Sequence, residues 1–413
     1  MSNLYENLTG IENNFIELYG VKDSPEQKAR YERCFYAFKN RFGVEKAYIA
    51  SSGGRVEICG NHTDHNGGKA IVAAVSLDSL AFFLPVSGDD ITIYSEGYGE
   101  IKVPIYKEFN GSKGTSAALV YGVLRAFTDH GYKIGGFNAY VSSNVLSGSG
   151  VSSSASFEVL ICEILNFLYN DGKVSQYEKA LFSQYAENVY FGKPCGLLDQ
   201  TAISFGGLKM LDFKDEKKIE VTEINDDLSD YTVVLINTGG SHAGLTDEYA
   251  SIPKEMKDVA KCFGKKRLIE ISENKFYEGL EKGQVKASDR AINRAIHFYE
   301  ENQRVENCSK ALNGKNYNIF LQQIRDSGIS SLCKLQNCYV AGKTEQAIPK
   351  SLFISSKFLK DGANRVHGGG FAGTILNIIK NSDLDYFLTK CSAYFGSENV
   401  FPLKIRSVGA KVL

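Results

Sequence analysis

Residues 147–158, SGSGVSSSASFE, carry a glycine- and serine-rich loop into the start of a helix. The loop offers several backbone N–H groups and leads to a helix N-terminus, and both attract phosphate through aligned dipoles. The helix is indicated by apolar residues at i, i+3, i+4 and i+7 spacing, namely Phe157, Leu160, Ile161, Ile164, Leu165 and Leu168. A flexible linker that ends in a serine N-cap explains the same residues, so this segment alone leaves both interpretations open.

The chain on either side of this loop has 413 residues, which is too long for one ordinary core and favours two domains. A mostly helical segment, 1–45, gives way to β-branched runs at 71–75, 81–86 and 91–95, after which helical and strand-like segments alternate. Near the C-terminus, NRVHGGGFAGTILNII (364–379) is interpreted as a helix end, a glycine turn and a buried strand. The pattern predicts an α+β protein with glycine loops between its strands and helices.

Composition excludes several classes of partner. The chain is 43% hydrophobic and 23% charged, and its net charge of −1 gives no electrostatic reason to expect nucleic acid or an anionic membrane as a partner. The longest apolar stretch, 70–86, is interrupted by SLDS, which argues against a membrane span. Nine cysteines form no C-x-x-C pair, and the N-terminus lacks the features of a secretion signal, so a cytoplasmic location is predicted.

A second polar loop, GNHTDHNGG (60–68), allows three interpretations. Asn61 begins a glycosylation sequon, but that sequon is not used without secretion. His62 and His65 resemble metal ligands, but they are three residues apart in a loop and no second cluster supplies further ligands. We therefore interpret the loop as part of a pocket for a polar substrate.

Two further segments carry candidate functional residues. The segment ENVYFGKPCGLLDQ (187–200) contains two carboxylates, Glu187 and Asp199, of which one could bind a metal and the other could contact a reacting hydroxyl. An aspartate after a turn is, however, more often a helix N-cap. In RVHGGGFAG (365–373), three consecutive glycines require either a close approach of the backbone or a tight turn between strands. Neither segment decides between its alternatives alone. The Walker A pattern is absent, since its nearest match, NCYVAGKT, has Asn337 in place of the first glycine.

Taken together, GGRVEICGNHTDHNGG, SGSGVSSSASFE, GKPCGLLDQ and RVHGGGFAG resemble, in this order and at these spacings, the galactokinases of the GHMP small-molecule kinase family. The resemblance extends from about residue 50 to the last strand. It implies an N-terminal domain of the ribosomal protein S5 domain 2-like type (1–213) and a ferredoxin-like C-terminal domain (214–399), with the active site in the cleft between them. The final segment, about 400–413, is expected to return to the N-terminal domain.

The same resemblance implies a role for each matching residue. Asp199 would lie beside the reacting anomeric hydroxyl, with Arg55 paired to it. Mg²⁺ would be held by Ser154 and Glu187. The phosphates of ATP would be bound by the loop residues, which are Gly148, Ser149, Gly150, Val151, Ser152, Ser153 and Ser154. The sugar would be bound by Asn61, His62, Asp64, Gly196 and Tyr249.

The implied reaction transfers the γ-phosphoryl group of MgATP to the anomeric hydroxyl of galactose. Because an arginine cation stabilises the ionised form of a neighbouring carboxylate, we expect Asp199 to orient the hydroxyl and to accept its proton late. The partners expected are the sugar and MgATP, without nucleic acid or membrane; the sequence does not define the oligomeric state, and a monomer is compatible with it.

The loop at 60–68, called the sugar loop below, departs from the family pattern in a way that leaves the identity of the substrate open. The family usually has GEHTDY where this chain has GNHTDH, so Asn61 replaces the glutamate that grips the sugar C6 hydroxyl and His65 replaces a tyrosine. A neutral Asn61 that donates to a C6 carboxylate makes galacturonate an alternative substrate. N-acetylgalactosamine is a further alternative, and a galactose sensor without catalytic activity is another.

Overall fold

A computed structural model describes residues 4–145, 150–241 and 244–413. The predicted phosphate-loop residues Gly148 and Ser149 therefore lie outside the described residues.

The first of two β-sheets is built from the long β-branched segments. The strands of the first sheet follow the order β12-β1-β2-β5-β3-β4, and β6 joins β2 and β7. Their bounds are β1 Tyr48–Cys59, β2 Lys69–Val86, β3 Asp90–Ser95, β4 Gly99–Pro104, β5 Gly136–Ser143, β6 Leu208–Asp212, β7 Glu220–Glu223 and β12 Lys411–Val412.

Strand β2 shows how the sequence runs combine. The runs at 71–75 and 81–86, predicted as two strands, form one strand of 18 residues. Its first part pairs with β6 and its second part with β5, while β1 pairs along both parts. A register shift between Gly53 and Gly54 of β1 accommodates the polar interruption around Asp78. The polar residues are thus absorbed in a bulge of the sheet and do not end the strand.

Helices cover both faces of this sheet. Two N-terminal helices pack on one face through a cluster that includes Tyr31, Phe38 and Phe82. Three others pack on the opposite face, where Phe83, Phe127 and Leu160 share a core. The helix predicted after the glycine-serine loop is confirmed as α4. The helices of this part are α1 Phe15–Tyr19, α2 Pro25–Phe42, α3 Ser116–Asp129, α4 Ser153–Asn170, α5 Gln176–Tyr185 and α6 Leu198–Phe205.

The second sheet has four strands in the order β11-β8-β10-β9. Its strands are β8 Tyr231–Asn237, β9 Gly362–Val366, β10 Thr374–Lys380 and β11 Val400–Leu403. Residues 364–366, interpreted from the sequence as a helix end, therefore belong to strand β9, because they pair with β10 across the glycine turn. The helices around this sheet are α7 Thr246–Lys261, α8 Glu273–Glu281, α9 Asp289–Asn313, α10 Tyr317–Ser330, α11 Ala347–Ser356 and α12 Leu384–Phe395.

The ends of the two predicted domains differ from the sheet boundaries. The predicted return of residues 400–413 to the first sheet is wrong for β11, which pairs with β8 because its apolar residues bury against the second sheet. The return occurs later, where Ile405 bridges Val75 and β12 pairs with β1. Likewise β7, which follows residue 213, still pairs with β6. The limits 1–213 and 214–399 themselves remain predictions.

One hydrophobic core joins the two sheets and fixes the cleft between them. Val56 of β1 and Ile71 of β2 pack in the same buried cluster as Val305 of α9 and Leu376 of β10. Burial of apolar surface at about 25 cal/mol per Å² makes such a shared core resistant to separation. The fold therefore holds the sugar loop against α9 and the glycine turn.

A buried ionic cluster ties the N-terminal helices to the C-terminal tail. Arg30 donates to Asp78 at 2.6 Å, Tyr19 donates to the same carboxylate at 2.9 Å, and the Arg406 guanidinium lies 4.0 Å away. Burial acts to raise the pKa of Asp78, but the two arginines outweigh burial and lower it.

The nine cysteines all carry free thiols. None of the described helices combines the length and apolar character needed to cross a bilayer.

Candidate active site

The sugar loop begins where β1 ends, and its backbone turns sharply there. Gly60 has φ +102°, and a Cβ at this position would lie 2.5 Å from the Ala70 Cα, so only glycine fits. His62 also has a left-handed φ of +58°. Thr63 stabilises the turn because its hydroxyl, with one hydrogen to share, lies 2.6 Å from the Lys69 carbonyl oxygen and 2.9 Å from the Gly60 carbonyl oxygen. The loop is therefore a rigid part of the sheet edge.

Arg55 and Asp199 form a bidentate ion pair on the floor of the cleft. Arg55 comes from β1 and Asp199 from the first turn of α6, 144 residues later. The Arg55 Nε donates to one carboxylate oxygen at 2.7 Å and the Nη2 to the other at 2.8 Å. The remaining Nη1 donates to the Gly150 carbonyl, and the Ser152 hydroxyl donates to Asp199. The predicted catalytic pair thus contacts the glycine-serine loop directly.

The N-terminus of α4 lies beside this pair. Ser152 is its N-cap residue, in a left-handed conformation with φ 64°, and Ser153 opens the helix. Val151 is fully buried, and its carbonyl accepts from the Arg55 backbone N–H at 3.0 Å, so this end of the loop is fixed to β1. The free N–H groups of the first turn and the helix dipole favour an anion at this position.

Ser154 and Glu187 meet across the first turn of α4. The Ser154 hydroxyl donates to the Glu187 carboxylate at 3.0 Å. Glu187 lies in a π-helical turn, Ala186–Phe191, a feature that often marks functional sites. Lys193 donates to the same carboxylate oxygen at 3.1 Å, and Gln200 donates to the other at 3.0 Å. This carboxylate is 2% exposed and is held in one orientation.

The Arg55–Asp199 pair lines a cavity of about 170 Å³. This volume is smaller than the about 300–1,000 Å³ of pockets for drug-sized ligands and fits a single small polar molecule. Polar and charged side chains converge on it from β1, the sugar loop, the start of α6 and the glycine turn. Its lining consists of Arg55, Glu57, Asn61, His62, Asp64, His65, Cys195, Gly196, Leu198, Asp199, Gly368 and Gly369.

The residues predicted to bind the sugar differ in how available their side chains are to a molecule in the cavity. Asp64 and Gly196 both line the cavity and are direct neighbours, since a Cβ at Gly196 would lie 3.1 Å from Asp64 Oδ2. Asn61 is fully buried, and its amide donates to Glu57 Oε1 at 3.0 Å and to the Gly368 carbonyl at 2.7 Å. Its Oδ1 accepts from Asn337 at 2.7 Å. Both N–H groups of Asn61 are thus occupied by the protein.

The glycine turn closes the cavity from the second sheet. Tyr249 donates from its hydroxyl to the Gly370 carbonyl at 2.8 Å, and its ring packs against Phe371 at a centroid distance of 5.4 Å. A Cβ at Gly369 would lie 2.8 Å from the Tyr249 ring, so the close approach predicted from the triple glycine is present. Tyr249 therefore supports the turn and is not part of the cavity lining.

Two histidines at the site, His62 and His367, are held neutral. Burial and the neighbouring His65 ring lower the pKa of His62 to about 4, and its Nε2 lies 2.9 Å from the Gly369 carbonyl, so Nε2–H donates there. Burial, reinforced by Arg55 and Arg365, lowers the pKa of His367 well below its usual range. The His367 Nε2 accepts from the Glu57 backbone N–H at 3.2 Å, which ties the glycine turn to β1.

Three residues near the cavity were missed by sequence reasoning. Glu57 lines the cavity; its position two residues after Arg55 on one strand places both side chains on the same face, a signal that the sequence did contain. Arg365 of β9 is fully buried and donates to Glu57 at 3.0 Å. Glu301 of α9 accepts from the backbone N–H groups of the sugar loop, a contact 241 residues apart that no local pattern indicates.

In the described ranges, no group of three or more histidine, cysteine, aspartate or glutamate side chains is placed to hold a metal ion. The oxygen pair of Ser154 and Glu187 is a different kind of site. Hydroxyl and carboxylate oxygens are the ligands that Mg²⁺ prefers, and Mg²⁺ commonly takes only one or two of them from the protein and the rest from phosphates and water. The donor set therefore fits Mg²⁺ bound together with a nucleotide.

Comparison with known proteins agrees with this geometry. Residues 36–85 match the galactokinase galactose-binding signature, and residues 117–207 match the GHMP kinases N terminal domain. Galactokinase from Clostridium tetani is 32% identical over 348 residues, which cover 83% of this chain and 86% of that protein. Galactokinase from Clostridium perfringens is 29% identical, covering 85% and 90% of the two chains.

Solved structures show the same fold. The crystal structure of Lactococcus lactis galactokinase complexed with galactose matches with a TM-score of 0.77 at 23% identity, covering 92% of this chain and 98% of that one. Methanococcus jannaschii mevalonate kinase matches with a TM-score of 0.63 at 15% identity, covering 86% and 98%. The predicted α+β GHMP kinase fold is confirmed. On these matches, the chain belongs to the galactokinase family of the GHMP kinases.

Proposed function

We propose that this protein transfers the γ-phosphoryl group of ATP to the anomeric hydroxyl of galactose and releases galactose 1-phosphate. The observation that carries the proposal is the small cavity whose floor is the Arg55–Asp199 pair, placed directly beside the N-terminus of α4. The galactokinase relatives support the same activity, since the similarity covers most of both chains.

The chain's own groups divide the work of phosphoryl transfer. The N-terminus of α4 and the serines of its first turn bind the phosphates, and Arg55 offsets charge that develops on the transferred group. Asp199 accepts a hydrogen bond from the anomeric hydroxyl and keeps that oxygen in line with the phosphorus, because phosphoryl transfer depends mainly on positioning and charge stabilisation. The neutral His62 and the carboxylate of Asp64 hold the sugar at the opposite wall.

Mg²⁺ belongs to this proposal as the partner of ATP. Ser154 and Glu187 would hold it, and it would supply charge neutralisation on the phosphate oxygens. The 3.0 Å contact between their side chains and the burial of Glu187 support this assignment, because they hold the two oxygens close together. The nine free thiols and the expected use of cellular MgATP support a cytoplasmic location.

Replacing Glu187 with glutamine tests the metal assignment. We expect the Mg²⁺ concentration for half-maximal rate to rise at least about 10-fold, because losses of this size already follow removal of groups that only support metal ligands. The measurement is a Mg²⁺ titration of the initial rate at saturating ATP and galactose. Glu220→Gln, on the exposed side of β7, is the matched control. A lower kcat with an unchanged Mg²⁺ titration would contradict a role in metal binding.

A substrate panel tests the function itself. ADP release is measured with galactose, galacturonate and N-acetylgalactosamine, with Asp199→Asn as the control for contaminating phosphotransferases. We expect kcat/KM for galactose to exceed that for either alternative by about 100-fold or more, a ratio within reach of a polar site that is matched to its substrate. Binding of galactose and ATP without ADP release would instead identify a galactose sensor. Faster turnover of galacturonate would identify the sugar acid as the substrate.

A further inference from the structure

Glu57 brings a third carboxylate to the sugar cavity, in addition to Asp64 and Asp199. It follows Arg55 by two residues on β1, so the two side chains project from the same face of the strand, about 6.6 Å apart along it. Arg55 is at the end of the cavity where the hydroxyl reacts, and Glu57 lies further along the same wall. Glu57 therefore faces the part of the sugar that is away from the anomeric hydroxyl.

The two oxygens of this carboxylate differ in their partners. Oε1 accepts from Arg365 Nη2 at 3.0 Å and from Asn61 Nδ2 at 3.0 Å. No described residue donates to Oε2. Oε2 is also not one of the buried, unpaired side-chain atoms among the described residues, so it is accessible to solvent. Burial raises the pKa of Glu57, while Arg365 and Asn61 oppose that shift by stabilising the ionised form. The carboxylate thus has one fixed oxygen and one available acceptor.

The hydrogen-bonding groups of the Asn61 side chain are all used by the protein, so none is available to a substrate at the same wall. Its two N–H groups are used by Glu57 and by the Gly368 carbonyl, and its oxygen is used by Asn337. The Asn61 side chain is fully buried. The amide can hold the Glu57 carboxylate in place, but it has no free hydrogen with which to bind a carboxylate on a substrate.

We propose that Glu57 is the residue that sets substrate choice at the distal wall of the cavity. It accepts a hydrogen bond from a sugar hydroxyl through Oε2 and repels a sugar that carries a carboxylate there, while Asn61 positions Glu57. This inference deepens the proposed function and rests on it. It explains how a chain with a neutral residue at position 61 still favours a neutral sugar.

The test uses Glu57→Gln in the full-length protein. A glutamine at this position keeps one acceptor oxygen for Arg365 and Asn61 and turns an NH₂ group toward the cavity, so only the charge and the available acceptor change. We expect the ratio of kcat/KM for galactose to that for galacturonate to fall at least 10-fold, with an unchanged KM for ATP. Glu306→Gln is the matched control, because Glu306 is also paired with a basic side chain, Lys69 at 2.7 Å, and does not line the cavity.

A second variant separates Glu57 from Asn61. In Asn61→Ser the carboxylate of Glu57 remains and Arg365 still holds its Oε1 at 3.0 Å, so the galactose-to-galacturonate ratio is expected to stay within about 3-fold of the wild-type ratio even if turnover falls. An unchanged ratio in Glu57→Gln, or a collapsed ratio in Asn61→Ser alone, would overturn the proposal. If Glu57→Gln does not fold, calorimetric binding of the two sugars to the wild-type protein decides, with galacturonate expected to bind at least 10-fold more weakly.

The outcomes also separate this proposal from the one on which it rests. Wild-type protein that phosphorylates none of the sugars removes the proposed function. Wild-type protein that prefers galacturonate leaves a sugar kinase but overturns the role of Glu57. Wild-type protein that prefers galactose, with a ratio that Glu57→Gln reduces, supports both.

Discussion

Asp199→Asn is expected to lower kcat by at least about 10³-fold, within the range that a positioned acid–base group contributes, and to leave the affinity for ATP nearly unchanged. The reason is the geometry of the pair with Arg55, in which each carboxylate oxygen accepts one guanidinium hydrogen bond at 2.7 and 2.8 Å. Asparagine offers one oxygen and one NH₂ group, and the NH₂ would oppose an Arg55 donor. Both the hydroxyl acceptor and the arginine that faces the phosphates then lose their orientation.

Single-turnover ADP formation and equilibrium binding of ATP give the two quantities separately. The matched control is Asp171→Asn, an exposed residue at the far end of α4, about 25 Å along the helix from Ser153. Asparagine is tolerated there because Asp171 is in the left-handed conformation. Turnover by Asp199→Asn within about 10-fold of the wild-type rate would rule out the catalytic assignment, since general acid–base groups contribute more than that.

The sequence predicts well where local pattern and local structure coincide. The stripe from Phe157 to Leu168 predicts α4, and the loop before it predicts the start of that helix, where Ser152 is the N-cap residue. The close approach implied by the triple glycine is present at Gly369. In each case the information lies within about ten residues of the feature, so periodicity and residue type are sufficient to predict it.

The sequence predicts poorly where a side chain depends on a distant partner. Asn61 was expected to face the substrate; it lines the cavity, but contacts with Gly368 and Asn337, about 300 residues away, occupy its side-chain amide. These contacts are set by the packing of the second sheet against the first. The interpretation of residues 364–366 as a helix end was wrong for a different reason, since they pair with the neighbouring strand β10 across the glycine turn.

Glu301 is the clearest example of such a distant contact, and its replacement is expected to have the largest effect on stability. Its Oε1 accepts from the backbone N–H groups of Gly60 at 3.0 Å and Asn61 at 3.4 Å and from the Ser327 hydroxyl at 2.6 Å. Its Oε2 accepts from Arg304 at 2.6 Å. The fully buried carboxylate of α9 therefore holds the sugar loop by its backbone.

Glu301→Ala is expected to lower the free energy of unfolding by about 3–5 kcal/mol, because it leaves the Arg304 charge and the loop N–H groups without their partner. Denaturant unfolding measures the change. Glu281→Ala, an exposed residue at the end of α8, is the control and should stay within about 0.5 kcal/mol of the wild-type value. A loss below about 1 kcal/mol for Glu301→Ala would show that the loop is held by other contacts.

Glu301→Gln separates charge from hydrogen bonding. Glutamine keeps an oxygen for the loop N–H groups but loses the charge opposite Arg304, so we expect a smaller loss of stability and a smaller rise in the KM for galactose than with alanine. The KM for ATP should not change in either variant, because Glu301 contacts the sugar loop and not the N-terminus of α4. Equal effects of alanine and glutamine on the KM for galactose would assign the positioning of the loop to the charge.

The pH dependence of stability follows from the same carboxylate. Burial acts to raise the pKa of Glu301, but His297, Arg304 and Arg365 outweigh burial and lower it. A carboxyl group whose pKa is lowered in the folded state stabilises the protein above its unfolded pKa of about 4.3, and that contribution is lost as the pH falls below this value. The difference in unfolding free energy between wild type and Glu301→Gln should therefore be constant from pH 8 to about pH 5.5 and shrink toward pH 4 and below. A difference that stays constant down to pH 3 would mean that Glu301 has the same pKa in the folded and unfolded states, and the arginines would then not stabilise its ionised form.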